Sequence, residues 1–187
     1  MPIGSLSVYP EIIRLTLLNN PKSVLDVGIG YGINGAGIRN WFNDATKRSI
    51  KIVGIEPWKG YENPNWKHYD HIVNQSLENI FGLVTEPFII DKFNVILCTD
   101  VCEHWKREDI EQNINTLKSW LAPNGVILMS TPAIWIEQGE YEGNTYETHH
   151  VLWDRMLFEK YGFNVLRDEN YSDPLGHKML LAEFINR

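Results

Sequence analysis

Apolar residues along this chain follow two alternating patterns, short unbroken runs and stripes spaced three and four apart. Ser23-Val24-Leu25-Asp26-Val27 is a run that ends in glycines and predicts a buried strand. Residues 34–43, carrying Ile38, Trp41 and Phe42, predict a helix, with both tryptophans of the helical stretches, Trp41 and Trp120, in the core. Residues 51–56 predict a second strand stopped by Pro57, residues 68–74 a third and residues 93–98 a fourth. Ile110, Ile114, Leu117 and Leu121 then fall at spacings of four, three and four, a helical stripe closed by Pro123-Asn124-Gly125. Residues 126–129 predict a fifth strand. From Pro132 to Val151 the pattern breaks into Gly, Glu, Tyr and His, and long loops of this kind in compact domains are often functional. Asp154 is placed to cap a last helix that Gly162 ends, and residues 163–166 and 178–185 predict a closing pair of strands.

Strands alternating with helices imply an α/β fold, a Rossmann-like, mostly parallel sheet with helices on both faces. Ligands of such sheets sit at the C-terminal strand ends, where the strand order reverses. The 187 residues suit one domain, 1–187, large enough to bury about 70% of its unfolded surface. A net charge of −7 argues against a bulk electrostatic grip on nucleic acid. The two cysteines, Cys98 and Cys102, are too few for a disulfide framework or a four-cysteine zinc site. Cys98 falls inside a predicted buried strand, so Cys98, Cys102 and His104 do not read as a metal site, and none is expected. No apolar run approaches ~18 residues, so no membrane span is expected. Met1 to Pro10 lacks a basic stretch followed by an apolar one, and Pro2 excludes myristoylation, so the cytoplasm is the expected location.

The segment richest in chemical information is Asp26-Val27-Gly28-Ile29-Gly30-Tyr31-Gly32. Glycines there let backbone approach a ligand and permit a tight turn into the helix. A dinucleotide fingerprint would need a third glycine where Ile33 stands. The spacing is G-x-G-x-G preceded by an acid, which would repel a diphosphate and suits a ligand bearing an ammonium group. Glu56, at the end of the second predicted strand, is placed to accept hydrogen bonds from ribose hydroxyls.

These features, with Asp100-Val101-Cys102-Glu103-His104 after the fourth strand and Leu121 to Leu128 around the fifth, resemble class I S-adenosylmethionine-dependent methyltransferases over nearly the whole chain. The resemblance implies seven strands, six parallel and the seventh inserted antiparallel, and S-adenosylmethionine as the cofactor. It implies that Gly28, Gly30 and Gly32 lie along the methionine portion, that Asp26 approaches its amino end, and that Glu56, followed by Pro57, binds the ribose. Asp100 and Val101 are implied to lie beside the cofactor near the methyl-transfer site. Where relatives carry an acid for the adenine amino group, this chain reads Asn74-Gln75-Ser76-Leu77, and Gln75 or Ser76 takes that place. The loop stretch from Gln138-Gly139 to Trp153 also resembles a subgroup of small prokaryotic methyltransferases.

The activity implied is in-line methyl transfer to oxygen or nitrogen of a small molecule or sugar-containing metabolite. The Asn/Asp-Pro-Pro-Tyr/Phe turn of nucleic-acid amino methylation is replaced by Ser130-Thr131-Pro132-Ala133. The alternatives are a non-catalytic binding module on the same fold and a nicotinamide-dependent oxidoreductase. For a hydroxyl acceptor a base is needed, and His149 is the first candidate. Glu147 lies two residues before it, on the same face of an extended segment, where it could orient the imidazole. His150 is then expected to face away, and His104 is the reserve candidate. Trp58, Trp66, Trp105, Trp135 and Trp153 are candidates for an aromatic pocket wall.

Overall fold

The computed structural model describes residues 4–42, 48–80, 92–168, 176 and 178–187. Its strands are β1 (Ser23–Val27), β2 (Lys51–Ile55), β3 (His71–Val73), β4 (Phe93–Thr99), β5 (Leu121–Pro132), β6 (Asn164–Arg167) and β7 (Met179–Ile185). They form one seven-stranded sheet in the order β3-β2-β1-β4-β5-β7-β6. β1 pairs in parallel with both β2 and β4, and β4 with β5. β7 is antiparallel to both its neighbours, β5 and β6. This is the arrangement expected, with the chain reversing direction across the sheet between β1 and β4.

The central strands are buried on both faces, so side-chain alternation divides the core into two layers. Val24, Ile52, Val95, Leu97 and Leu128 point to one face, where they meet Ile12, Ile13, Ile38 and Phe42. Those helical residues belong to α1 (Tyr9–Leu18), to α2 (Ile33–Trp41) and to the cap of α2. A short α3 (Leu77–Ile80) follows β3. Leu25, Val27, Ile96, Cys98 and Met129 point to the other face, against Ile110, Ile114 and Leu117 of α4 (Ile110–Ser119) and Phe158 of α5 (Arg155–Lys160). Both cysteines lie in this core, as small apolar groups.

Differences from the sequence reading have local causes. α2 ends at Trp41, and Asn43, the expected end, lies outside the described residues. Trp41 is 57% exposed rather than core, because Ile38 and Phe42, four apart, take the inward face. Trp120 caps α4 and is only partly buried. Leu121 opens β5 instead of closing the helix, with Asn124 at φ 60 absorbing the bend before Val126. Asp154 does cap α5, its Oδ1 accepting from Leu157 N at 2.7 Å, and Gly162 ends it at φ 79.

Candidate active site

The C-terminal ends of β1, β2 and β4 open into a cavity of about 670 Å³. Gly28 and Gly30, with φ of 72° and 48°, form its floor. A Cβ on Gly28 would stand 2.3 Å from Val101 Cγ2, so this backbone reaches the cavity only because it carries no side chain. Gly32 does not line the cavity. It caps α2 at φ 72 and packs against Tyr69 and Trp66 behind the loop, which corrects its expected place along the ligand.

Glu56 lies in the cavity wall but is only 4% exposed. Its Oε2 accepts from Gly30 N and its Oε1 from Trp58 N, both at 2.9 Å. Burial pushes its carboxyl from 4.5 up to about 7, against those two hydrogen bonds, with Glu147 and Asp26 adding to the rise. Each oxygen keeps a lone pair for a ligand hydroxyl. Pro57 and Ser76 also face the cavity, whereas Gln75 does not.

Asp26 is fully buried behind the loop. Tyr69 Oη donates to its Oδ2 at 2.6 Å, and Asn34 Nδ2 to its Oδ1 at 3.4 Å. Burial raises its carboxyl to about 6, although both bonds lower it. The Tyr69 hydroxyl also accepts from Gly35 N at 3.1 Å. Asp26 therefore ties β3's approach to the start of α2, and reaches the cavity only through Asn34, a lining residue.

At the far end, Asp100 and Val101 line the cavity. Asp100 sits at φ 55, its Oδ1 accepting from Ser130 Oγ at 2.8 Å and its Oδ2 from Ser5 N. Burial raises its carboxyl, which Ser130 and Ser5 oppose. Beyond it the 3-10 turn Cys102–His104 carries Glu103, 4% exposed, and His104, a lining residue. Burial, then His149, depress the His104 imidazole to about 4, so it is neutral at pH 7.

The pairing of Glu147 with His149 is corrected. The segment is not extended: Thr145–Glu147 is a 3-10 turn that shifts the phase of the side chains. Glu147 Oε1 accepts from Tyr61 Oη at 2.7 Å and its Oε2 from Gln138 Nε2 at 3.1 Å. Asn144 Nδ2 donates to the same Tyr61 hydroxyl at 3.0 Å. Tyr61 and Asn144, missed in the sequence, thus join the turn after β2 to the long loop across the cavity. His149 takes its orientation from the Ile136 carbonyl, 2.8 Å from Nδ1. Its ring lies edge-on behind His104, centroids 4.8 Å apart, and does not line the cavity. His104, Glu147 and His150 do line it, so His150 does not face away. Of the five tryptophans, only Trp105 lines the cavity; Trp153 is buried in the core and Trp66 donates to Gly30 O from behind.

No helix among the described residues is long and apolar enough to cross a membrane. A family model for a methyltransferase domain matches residues 7–168. The ubiquinone biosynthesis O-methyltransferase of Pasteurella multocida is 30% identical over 113 residues, 59% of this chain and 46% of that protein. The chain thus spans less than half the length of the curated relatives it matches, 46% and 43%. Among solved structures, the N-methyltransferase NodS of Bradyrhizobium japonicum superposes with a TM-score of 0.65 at 13% identity, covering 95% of this chain and 93% of that one. The 1,6-didemethyltoxoflavin-N1-methyltransferase of Burkholderia thailandensis, solved with S-adenosylhomocysteine, gives 0.62 at 16% identity, over 95% and 76% of the two chains. These structural likenesses speak for the fold. A glycine floor, a buried carboxylate at the end of β2 and a wedged antiparallel β7 suit the ligand of that fold. With the family model spanning most of its length, the chain belongs to the class I S-adenosylmethionine-dependent methyltransferases, and S-adenosylmethionine is its cofactor.

Proposed function

We propose that this chain is a single-domain, cytoplasmic enzyme that methylates oxygen or nitrogen on a small molecule or sugar-containing metabolite. The observation that carries this reading is one continuous cavity. It runs from a glycine floor and Glu56 at one end to Asp100, Val101 and His104 at the other. Its roughly 670 Å³ suits a cofactor and a small acceptor, within the usual ~300–1,000 Å³ for such sites. The net charge of −7 disfavours a nucleic-acid acceptor.

The cofactor supplies an activated methyl group on a sulfonium. The chain supplies alignment, which is worth up to ~7–11 kcal/mol in well-positioned reactions. In this reading Gly28 and Gly30 run along the methionine portion, and Glu56 accepts from both ribose hydroxyls. Ser76 is the better placed of the two adenine candidates. Asp26 acts at one remove, through Asn34. The acceptor's reacting atom lies against His104, whose Nδ1 is 3.2 Å from the Thr148 carbonyl oxygen, an acceptor only. The proton therefore sits on Nδ1 and the Nε2 lone pair is free. His149 stands behind that ring as its support rather than as a lone base.

The test has two arms. S-adenosylmethionine or its demethylated product at ~100 times Kd should stabilise the protein by about 2.7 kcal/mol in a thermal melt, and NAD should not. Mass detection of a methylated product from a broad metabolite pool then identifies the acceptor. A melting shift with NAD alone would overturn the reading.

A further inference from the structure

The turn after β4 leaves a buried carboxylate oxygen unpaired. Glu103 is 4% exposed, and its Oε2 makes no hydrogen bond. The Thr131 hydroxyl lies beside this carboxyl and favours its ionised form, but completes no well-formed hydrogen bond. Buried carboxyls are paired, bind a metal ion or hold their proton, and the unpaired oxygen here leaves a place for a partner. Two imidazoles flank it. Glu103, His104 and His149 each bring a ligand atom to within 4.8 Å of the others. We propose that these three side chains hold a divalent first-row transition-metal cation in the wall of the cofactor cavity.

Both rings are set up as ligands. Nδ1 of His104 rests on the Thr148 carbonyl oxygen at 3.2 Å, and Nδ1 of His149 on the Ile136 carbonyl oxygen at 2.8 Å. A carbonyl oxygen only accepts, so Nδ1 is the donor in each ring and Nε2 is the nitrogen left to face a metal ion. Metal-binding histidines are oriented in this way, by a backbone carbonyl or carboxylate on the far nitrogen. The backbone holds the group together across 46 residues of sequence: Glu103 O accepts from His150 N at 2.8 Å and from Val151 N at 3.2 Å. The indole of Trp153 donates to Cys102 O at 2.9 Å and fixes the turn from below.

The neighbouring groups are otherwise engaged. Asp100 already accepts one hydrogen bond on each oxygen, from Ser130 Oγ and Ser5 N. Cys102 is buried in the core, with its sulfur toward Ser130 O. That leaves two imidazole nitrogens and one carboxylate oxygen, a set that suits Zn²⁺, Fe²⁺, Co²⁺ or Mn²⁺ better than Ca²⁺ or Mg²⁺. Bond lengths of ~2.0–2.2 Å require ligand atoms roughly 3–3.5 Å apart, so the triad closes by about 1 Å on binding. Three protein ligands leave a coordination position open, as in catalytic sites, and His104 borders the cavity.

The role of this cation rests on the proposed function, although its presence does not. With the cation bound, His104 Nε2 is a ligand and no longer free, and an acceptor hydroxyl in the open position loses its proton to water more readily. The O–C bond then forms as the S–C bond breaks, and the alkoxide's negative and the sulfonium's positive charges are both discharged.

The experiment titrates chelator-stripped, tag-free enzyme with Co²⁺, read by visible absorption and calorimetry, with S-adenosylhomocysteine melts run in parallel. One Co²⁺ per chain is expected, displaced by Zn²⁺. Glu103→Gln, His104→Gln and His149→Gln should each weaken it at least about tenfold, and Glu137→Gln, elsewhere in the same loop, should not. His149→Gln changes a half-buried loop side chain, so it keeps the test open should a core variant misfold. No Co²⁺ binding, or binding that survives all three substitutions, overturns the site. If S-adenosylhomocysteine still shifts the melt in that case, the methyltransferase reading stands without the metal. If it fails to shift while Co²⁺ binds, the site stands and its role falls.

Discussion

Glu56→Gln isolates the electrostatic cost of the ribose end. In the ligand-free protein, burial raises the Glu56 carboxyl from 4.5 to about 7. A carboxyl with a raised folded-state pKa binds its proton more tightly when folded. Its contribution is fully present below the unfolded value and is lost as pH climbs through the folded one. Each tenfold difference in proton affinity between the folded and unfolded chain is worth about 1.4 kcal/mol, so over pH 4.5 to 7.5 the wild type should lose ~3 kcal/mol relative to Glu56→Gln. Asp26 titrates with the same sign, from 3.8 to about 6, but it is present in both proteins and cancels. For a chain of this size the change in the difference amounts to roughly 6–12 °C in Tm. The ligand reports the same group from the other side. If the ribose diol needs the ionised form, about a tenth of Glu56 is competent at pH 6 and about nine tenths at pH 8, so S-adenosylhomocysteine should bind roughly tenfold tighter at pH 8. Glu56→Gln should bind weakly at both pH values, with the slope gone. Thermal melts and calorimetry at pH 5, 6, 7 and 8 supply the data. Stability curves that run parallel for the two proteins, with a pH-independent Kd, would refute the reasoning.

Gly28→Ala places a methyl 2.3 Å from Val101 Cγ2 at φ 72, so S-adenosylhomocysteine affinity should fall more than about tenfold, with partial recovery in Gly28→Ala/Val101→Ala; calorimetry showing wild-type affinity in the single variant would contradict the close approach. Tyr69→Phe removes the hydroxyl shared by Asp26 and Gly35 N and should destabilise by about 1–3 kcal/mol in urea, more at pH 8 than at pH 5 because Asp26 is then charged; equal loss at both would sever the link to Asp26. Trp153→Ala empties a fully buried site and should cost about 3–5 kcal/mol, and a loss under 1 kcal/mol would show that the surroundings collapse to fill it.

What can be read in the sequence is what depends on neighbours along the chain. The glycine loop, Glu56 at a strand end and the stripe of α4 each announce themselves within a dozen residues. α1 does not, because its inward face is only Ile12, Ile13 and Thr16, with Leu15, Leu17 and Leu18 blurring the stripe. The site's cross-connections are beyond reach for another reason. Tyr69 meets Asp26 across 43 residues and Tyr61 meets Glu147 across 86, and no local period encodes such pairs. Asp26 reads as a ligand group until Tyr69 is seen to cover it. Glu147 and His149 read as partners only if their segment is extended, and one 3-10 turn undoes that. Glu103 is legible only as part of the run from Asp100 to His104, because its unpaired oxygen exists only in the packed fold.

The strand that closes the sheet is made after both of its neighbours in it. β7 lies between β5 and β6, and β6 pairs with no other strand among the described residues. Until the ribosome has released residues 179–185, β5 presents an unpaired edge along seven ladder positions, Val126 through Pro132, and β6 has nothing to join. Domains fold largely as they emerge, and open apolar edges invite pairing with other chains. A nascent chain stalled before Met179 should thus be captured by chaperones or aggregate, whereas release of one more strand lets the sheet close. Arrest-peptide force profiling across lengths near 179–187 would locate that step, and a folding signal well before Met179 clears the exit would show that the sheet does not wait for it.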